Sequence, residues 1–218
     1  MGIRERQERE RELVRRAILD AARDLFVSEG YANVSIRKIA ERIEYSAAAI
    51  YGYFPSKDDI FFALAEEGFQ LLGTPLDYSA PAGADPLDHL RYAFLRLYEF
   101  SKQHPQYFAL MFVDREVPRI SQEYERFAFA RECKSRVIDL ARTCVDAGVF
   151  PPSTKPFAAF RVLSMAMFGV AVMRLSGRMA PGEDPDALAR DALETVIAGL
   201  CAGVELHSAD LSLEGAVR

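Results

Sequence analysis

Val34 to Lys57 reads VSIRKIAERIEYSAAAIYGYFPSK, the pattern of two short helices joined by a tight turn and followed by the start of a third. Ser35 suits an N-cap, its hydroxyl accepting a backbone N–H of the first turn. Ile36, Ile39, Ala40 and Ile43 recur at i, i+3, i+4 and i+7 and make one face apolar, while Arg37, Lys38, Glu41 and Arg42 take the other. Ile43-Glu44-Tyr45 interrupts the pattern over the length of a turn. Ser46 caps a second helix, Ala47 to about Tyr53, whose alanines favour helix and keep its surface shallow. Ile50 and Phe54 face inward. Ser56 then caps a third helix with Asp58 and Asp59 in its first turn, where the helix dipole favours acids. Lys57 falls at that N-terminus, a ready anion site.

This is the layout of a helix-turn-helix that sets a helix in the DNA major groove. The candidate DNA contacts are Arg37, Lys38, Tyr45, Ser46, Ala47, Ala48, Tyr51, Tyr53 and Lys57. Tyr51 and Tyr53 fall near the sugar-phosphate backbone, where a phenol donates to phosphate, and Lys57 joins them there. Ala47, Ala48 and Ala49 read only thymine methyls and shape. Hydrogen bonds to bases are therefore expected from Arg37 and Ser46, with Tyr45 and Tyr51 at the groove edge.

The chain resembles the tetracycline-repressor (TetR) family. The matching run goes from Arg16-Ala17-Ile18-Leu19-Asp20-Ala21-Ala22 through Leu25-Phe26, Gly30-Tyr31 and Ser35-Ile36-Arg37-Lys38-Ile39-Ala40. It continues through Ser46, Ile50-Tyr51 and Tyr53-Phe54 to Ser56-Lys57, roughly the first quarter of the chain. Two positions depart from the family's habit. Glu44 stands where the turn usually has glycine, and Ala47-Ala48-Ala49 stands where hydrogen-bonding or basic side chains are frequent. The resemblance implies an all-α protein with a three-helix DNA-binding domain and a larger, variable C-terminal helical domain that binds ligand and dimerises.

The chain has 218 residues, half of them hydrophobic with fifteen Phe, enough for a small DNA-binding domain and one larger core. No stretch reads as long, apolar and uncharged enough to span a bilayer. The charged segment Gly2–Arg16 has no signal-peptide h-region, so a cytoplasmic location is expected. Cys133, Cys144 and Cys201 are an odd, widely spaced set, which suits reduced thiols acting as small core residues. The net charge is −5, but residues 1–57 hold eleven Lys and Arg against nine Asp and Glu, and a local patch decides DNA binding. The first twelve residues alternate Arg and Glu. They read as an arm carrying Arg4, Arg6, Arg9 or Arg11 to DNA, or as a solvated extension of the first helix.

Gly and Pro divide the chain into about nine helices. Helix one ends at Gly30, with an apolar stripe of Leu13, Ala17, Ala21 and Leu25 beside Val14, Ile18, Ala22 and Phe26. Helix four runs from Lys57 to near Leu72. After a loop to Ala84, helix five runs from Asp85-Pro86 to about Gln103. A short helix carries Tyr107 to Phe112, and a long one spans about Ile120 to Ala147. Helices eight, Lys155 to Leu175, and nine, Pro185 to about Gly203, complete the chain. The expected domains are 1–56 for DNA binding, 57–203 for ligand binding and dimerisation, and 204–218 as a tail. Helix four, as the long element shared by both, is the expected coupling rod.

Helix eight offers a stripe of Phe157, Phe160, Ser164, Phe168 and Val172, with Ala166, Gly169 and Val170 allowing close approach. Helix nine offers Leu188, Ala192, Thr195, Val196, Gly199, Leu200 and Gly203. Small residues at such spacing allow close packing, read as an internal core or, as the family implies, a homodimer interface. Candidates for an apolar ligand pocket are Phe94, Tyr98, Phe108, Met111, Phe112, Phe127, Arg131, Arg161, Met165 and Phe168. The bland alternative for each is ordinary core. Three histidines without metal spacing, no Gly-rich phosphate loop and no CxxC argue against an enzyme, and no metal or cofactor is expected. The function expected is a homodimeric repressor of a double-stranded, palindromic operator, released by a small apolar or amphipathic effector. The alternative is a ligand-independent DNA-binding regulator controlled by a protein partner.

Overall fold

The computed structural model describes residues 2–73, 85–118 and 127–207, leaving the side chains of Ile3 and Ala128 aside. Every regular element among the described residues is helical, as the sequence patterns require: α1 (Ile3–Glu29), α2 (Ile36–Arg42), α3 (Ala47–Tyr51), α4 (Lys57–Gly73), α5 (Pro86–Gln103), α6 (Pro105–Phe112), α7 (Ala128–Asp146), α8 (Pro156–Leu175) and α9 (Pro185–Cys201), with a 3₁₀ turn at Tyr31–Asn33. The expected start of the long helix at Ile120, most of the loop after Gly73 and the end of the tail lie outside the described residues.

Punctuation sets the boundaries. Pro105, Pro156 and Pro185 sit in the first turns of α6, α8 and α9, where a missing N–H costs nothing. Gly30 follows α1 with φ +83° and Gly148 follows α7 with φ +72°, a region glycine enters without strain. Asp184 caps α9 by accepting the Asp186 N–H.

The chain forms two compact units. The first comprises residues 1–70 and 104–127, the second 71–103 and 128–218. This packing division differs from a functional division at residue 56, because α4 up to Gln70 and all of α6 pack with the N-terminal helices.

In the first unit α1 packs on α2 and α6, and α2 packs on α3. Ile18, Ala22, Ile39, Ile50, Ile60 and Phe61 are fully buried there. Each large aliphatic or aromatic side chain so buried contributes on the order of 1.5–3 kcal/mol. The buried side of α1 runs through Ile18, Leu19, Ala21, Ala22, Leu25 and Phe26, whereas Leu13 is 68 % exposed. The expected stripe therefore starts a turn too early, because α1 projects past the helices that cover it. Gly68 lets α6 approach α4: a Cβ there would lie 2.2 Å from Met111 Sδ.

In the second unit α8 packs against α5, α7 and α9. Leu163, Met167, Ala171, Phe100, Ala141, Phe150 and Ala189 have no exposed surface. By length and composition α8 does qualify as a bilayer-spanning helix, which corrects the sequence reading. Its residues Ala158 to Ala171 instead line a protein core on one side. Polar bonds tie the unit together. Arg91 grips Glu194 with Nε and Nη2 at 2.7 and 3.1 Å, and Asp186 accepts from Tyr98 Oη at 2.7 Å and Lys102 Nζ at 2.8 Å. Arg174 Nη2 donates to the Ser101 carbonyl at 2.6 Å.

Candidate nucleic-acid interface

Both short helices are capped from their own sequence. Ser35 Oγ accepts the Lys38 N–H at 3.2 Å and Ser46 Oγ accepts the Ala49 N–H at 3.1 Å. Isolated helices of seven and five residues are not stable in water, so the caps and the buried Ile36, Ile39, Ala40 and Ile50 hold them. Between them the chain makes a left-handed helix stop. The Tyr45 N–H reaches the Ala40 carbonyl at 2.9 Å and the Glu44 N–H reaches the Glu41 carbonyl at 3.3 Å. Such a stop needs a left-handed residue at Glu44, which has φ +60°, the one positive φ of a non-glycine among the described residues.

The geometry leaves one surface open. Arg37 is 84 % exposed, with Nε 3.5 Å from Glu41 Oε1. Tyr45 is 45 % exposed and Tyr51 56 %. Ser46 and Ala48 are exposed and Ala47 is half-buried. Ser46 keeps its own O–H free to donate, since the cap uses it as an acceptor.

The other candidates are engaged within the protein. Lys38 pairs with Glu29. Tyr53 is half-buried, with the Arg11 guanidinium 5.6 Å from its ring centre. Lys57 Nζ donates to the Tyr31 carbonyl at 2.8 Å and lies 4.0 Å from the centre of the Tyr31 ring. Tyr31 in turn donates to Asp58. Burial first, then the Asp58 carboxylate, raises the Tyr31 phenol well above its ordinary range. Lys57 thus anchors the start of α4 on Tyr31, with its remaining N–H donors for another acceptor. That anchor joins positions 26 residues apart, and no local pattern announces it.

A second polar cluster in this unit joins local helix pairs to partners that no local pattern announces. Arg16 binds Asp20 through Nη2 at 2.7 Å and Nε at 3.1 Å, and Glu67 through Nη1 at 2.6 Å. Arg23 Nη1 reaches Asp20 at 2.9 Å and Tyr107 Oη at 3.4 Å. Burial works against the Asp20 charge, but the bonds from Arg16 and Arg23 outweigh it and hold that carboxyl below its ordinary range. The cluster ties α1 to α4 and α6.

The pocket candidates divide between the units. Phe108, Met111, Phe112 and Phe127 belong to the first. There Phe112 and Phe127 flank Phe69 at centroid distances of 6.1 and 5.8 Å, and Phe108 meets Phe112 at 5.2 Å. Phe94, Tyr98, Arg131, Arg161, Met165 and Phe168 belong to the second. Phe94 packs on Phe160 at 6.2 Å. The Tyr98 phenol is taken up by Asp186, and burial followed by that carboxylate pushes it up to about 12. Arg161 and Met165 stand on the exposed side of α8. Of the helix-eight stripe, Ser164 is buried and donates to the Phe160 carbonyl at 2.7 Å.

A capped helix, a left-handed stop and a second capped helix with open side chains define a helix-turn-helix protein. Residues 18–64 match the family described as bacterial regulatory proteins, tetR family, and residues 90–196 match the tetracyclin repressor-like C-terminal domain. The chain belongs to the TetR family. Among curated relatives it is 32 % identical over 91 residues to the HTH-type transcriptional repressor KstR of Mycobacterium tuberculosis, over 42 % of this chain and 41 % of that protein. It is 29 % identical over 153 residues to the nucleoid occlusion factor SlmA of Vibrio campbellii, over 66 % of this chain and 76 % of that one. The chain thus spans under half the length of the mycobacterial repressor. The fold is shared with the fatty acid degradation regulator FadR of Bacillus halodurans at a TM-score of 0.70 and 16 % identity, over 85 % of this chain and 95 % of that one. It is likewise shared with FadR of Bacillus subtilis, solved in complex with stearoyl-CoA, at 0.69 and 16 %, over 84 % and 97 %.

Proposed function

We propose that this protein is a homodimeric, DNA-binding transcriptional repressor released from its operator by a small apolar or amphipathic ligand. The observation that carries the DNA-binding part is the open surface of the helix-turn-helix. Arg37, Tyr45, Ser46, Ala48 and Tyr51 stand exposed on or beside two helices whose other faces are buried. Tyr51, Tyr53 and Lys57 act at the DNA backbone in this reading. Lys38, held by Glu29, stands beside this surface. No catalytic role is assigned to any residue, and the chain works in the cytoplasm.

Dimerisation is proposed through the outward side of α8 and α9. On α8 that side carries Met165, Gly169 and Met173, with Met165 46 % and Met173 41 % exposed. Large apolar side chains around an exposed glycine suit close helix packing. Two copies place two recognition helices on one duplex, about 34–36 Å apart for successive major grooves. The effector is proposed to act through α4, whose last three residues belong to the second compact unit. A ligand favouring another spacing weakens operator binding by its differential affinity, typically about 1–3 kcal/mol.

Binding-site selection with the full chain, followed by effector titration with and without operator, tests the proposal. Screening starts with lipophilic compounds and acyl-CoAs, the class named for the Bacillus subtilis neighbour. Reciprocity requires operator DNA to weaken effector binding by the same factor. Equal effector affinities in both states overturn release by ligand. They favour control by a protein partner.

A further inference from the structure

The first three turns of α1 form an arginine-bearing overhang beside the recognition helix. The Arg11 guanidinium lies 5.6 Å from the Tyr53 ring centre, with Nη2 3.5 Å from the Gly52 carbonyl, and Arg15 lies 5.3 Å from the Phe54 ring centre. Gly52 to Phe54 directly follow α3, so these contacts fix which side of α1 faces the end of α3. At 3.6 residues per turn Arg4, Arg11 and Arg15 fall within about 40° of one another, and Arg4 projects about 10 Å beyond Arg11 along the axis. Gln7 and Glu8 flank the same stripe. Arg6 points about 160° away from Arg4. Residues 4–13 are exposed, so the overhang carries its arginines into solvent.

The geometry points to this stripe, led by Arg4, as a second contact with the sugar-phosphate backbone of duplex DNA, outside the turn of groove that α3 reads. The inference rests on the DNA-binding reading above. Charge complementarity selects the occupant. On the α3 side the overhang presents Arg4 and Arg11 against one acid, Glu8, and a guanidinium matches a phosphate with paired donors. Arg11 is pre-oriented by Tyr53 and Gly52, so placing it on a phosphate freezes fewer rotamers. The register also resolves the alternating Arg/Glu run: arginines of the stripe face α3, whereas Arg6 does not.

The test uses the full chain, a duplex found by binding-site selection and the paired variants Arg4→Ala and Arg6→Ala, with far-UV circular dichroism confirming helicity. The expected result is that Arg4→Ala lowers the slope of log affinity against log salt by about one per bound protomer, equally for operator and unrelated duplex. Hydroxyl-radical protection should retract at the outer edge of each half-site, while Arg6→Ala changes neither. If Arg4→Ala leaves slope and footprint as in the unsubstituted protein, the overhang makes no such contact, and recognition by α2 and α3 stands. If both variants lower the slope equally, the effect is one of net charge and the stripe assignment is overturned. If selection yields no duplex bound by the unsubstituted chain, the DNA-binding reading falls and the overhang contact falls with it.

Discussion

Replacing Glu44 by glycine should stabilise the helix-turn-helix. At φ +60° the Cβ of Glu44 crowds its own backbone, at a cost of roughly 1–2 kcal/mol relative to a residue without Cβ. Glycine removes that strain but adds about 0.4–1 kcal/mol of chain entropy to the unfolded state. Both helix-stop hydrogen bonds are backbone bonds and survive the change. The net expectation is a gain of roughly 0.5–1 kcal/mol, or about 1–4 °C in a chain of this size. Glu44→Gln separates strain from charge, since it keeps Cβ and removes the carboxylate. A unit charge about 10 Å from a phosphate in water is worth about 0.4 kcal/mol, so glutamine should tighten DNA binding about twofold without raising Tm. Thermal unfolding followed by circular dichroism, together with DNA titration of both variants, measures the two effects. A Glu44→Gly protein that melts at or below the unsubstituted one would refute the strain argument.

Gly68→Ala should destabilise by about 1 kcal/mol. The new Cβ would meet Met111 Sδ at 2.2 Å, and displacing that buried side chain outweighs the better helix propensity of alanine. Adding Met111→Ala should make the glycine change neutral or favourable, and non-additive Tm values in that double-mutant cycle are the check. Glu66 has a buried Oε2 without a hydrogen-bond partner, and burial raises its carboxyl above the ordinary range. A raised carboxylate pKa in the fold means that the charged form destabilises, and the penalty fades as pH falls through the folded value. Glu66→Gln should therefore raise Tm near pH 7 and lose its advantage toward pH 4, whereas an advantage constant with pH would exclude the charge as its cause. Arg37→Ala should relax base preference at one position per half-site, at a cost of roughly 1–3 kcal/mol, as read by binding-site selection. An unchanged consensus would remove Arg37 from base readout.

The sequence by itself determined the helices and their ends. Ser35, Ser46 and Asp184 cap, Pro105, Pro156 and Pro185 open and Gly30 and Gly148 close, because each acts on backbone groups within a few residues of itself. The helix-turn-helix was legible for the same reason: its caps and its apolar i, i+3, i+4 positions are local, and even Glu44 announced its turn. Tertiary structure decided what each outward side chain meets. Lys57 read as an open anion site yet is seated on Tyr31, Arg174 on a mostly apolar helix holds the Ser101 carbonyl, and Ser164, in a stripe that read as either internal core or dimer interface, is buried. Leu13 kept the helical period but lies where α1 has run past its neighbours. A hydrogen bond between residues 26 or 73 positions apart depends on how helices cross, and a crossing is set by the summed packing of whole faces rather than by any short run of residues.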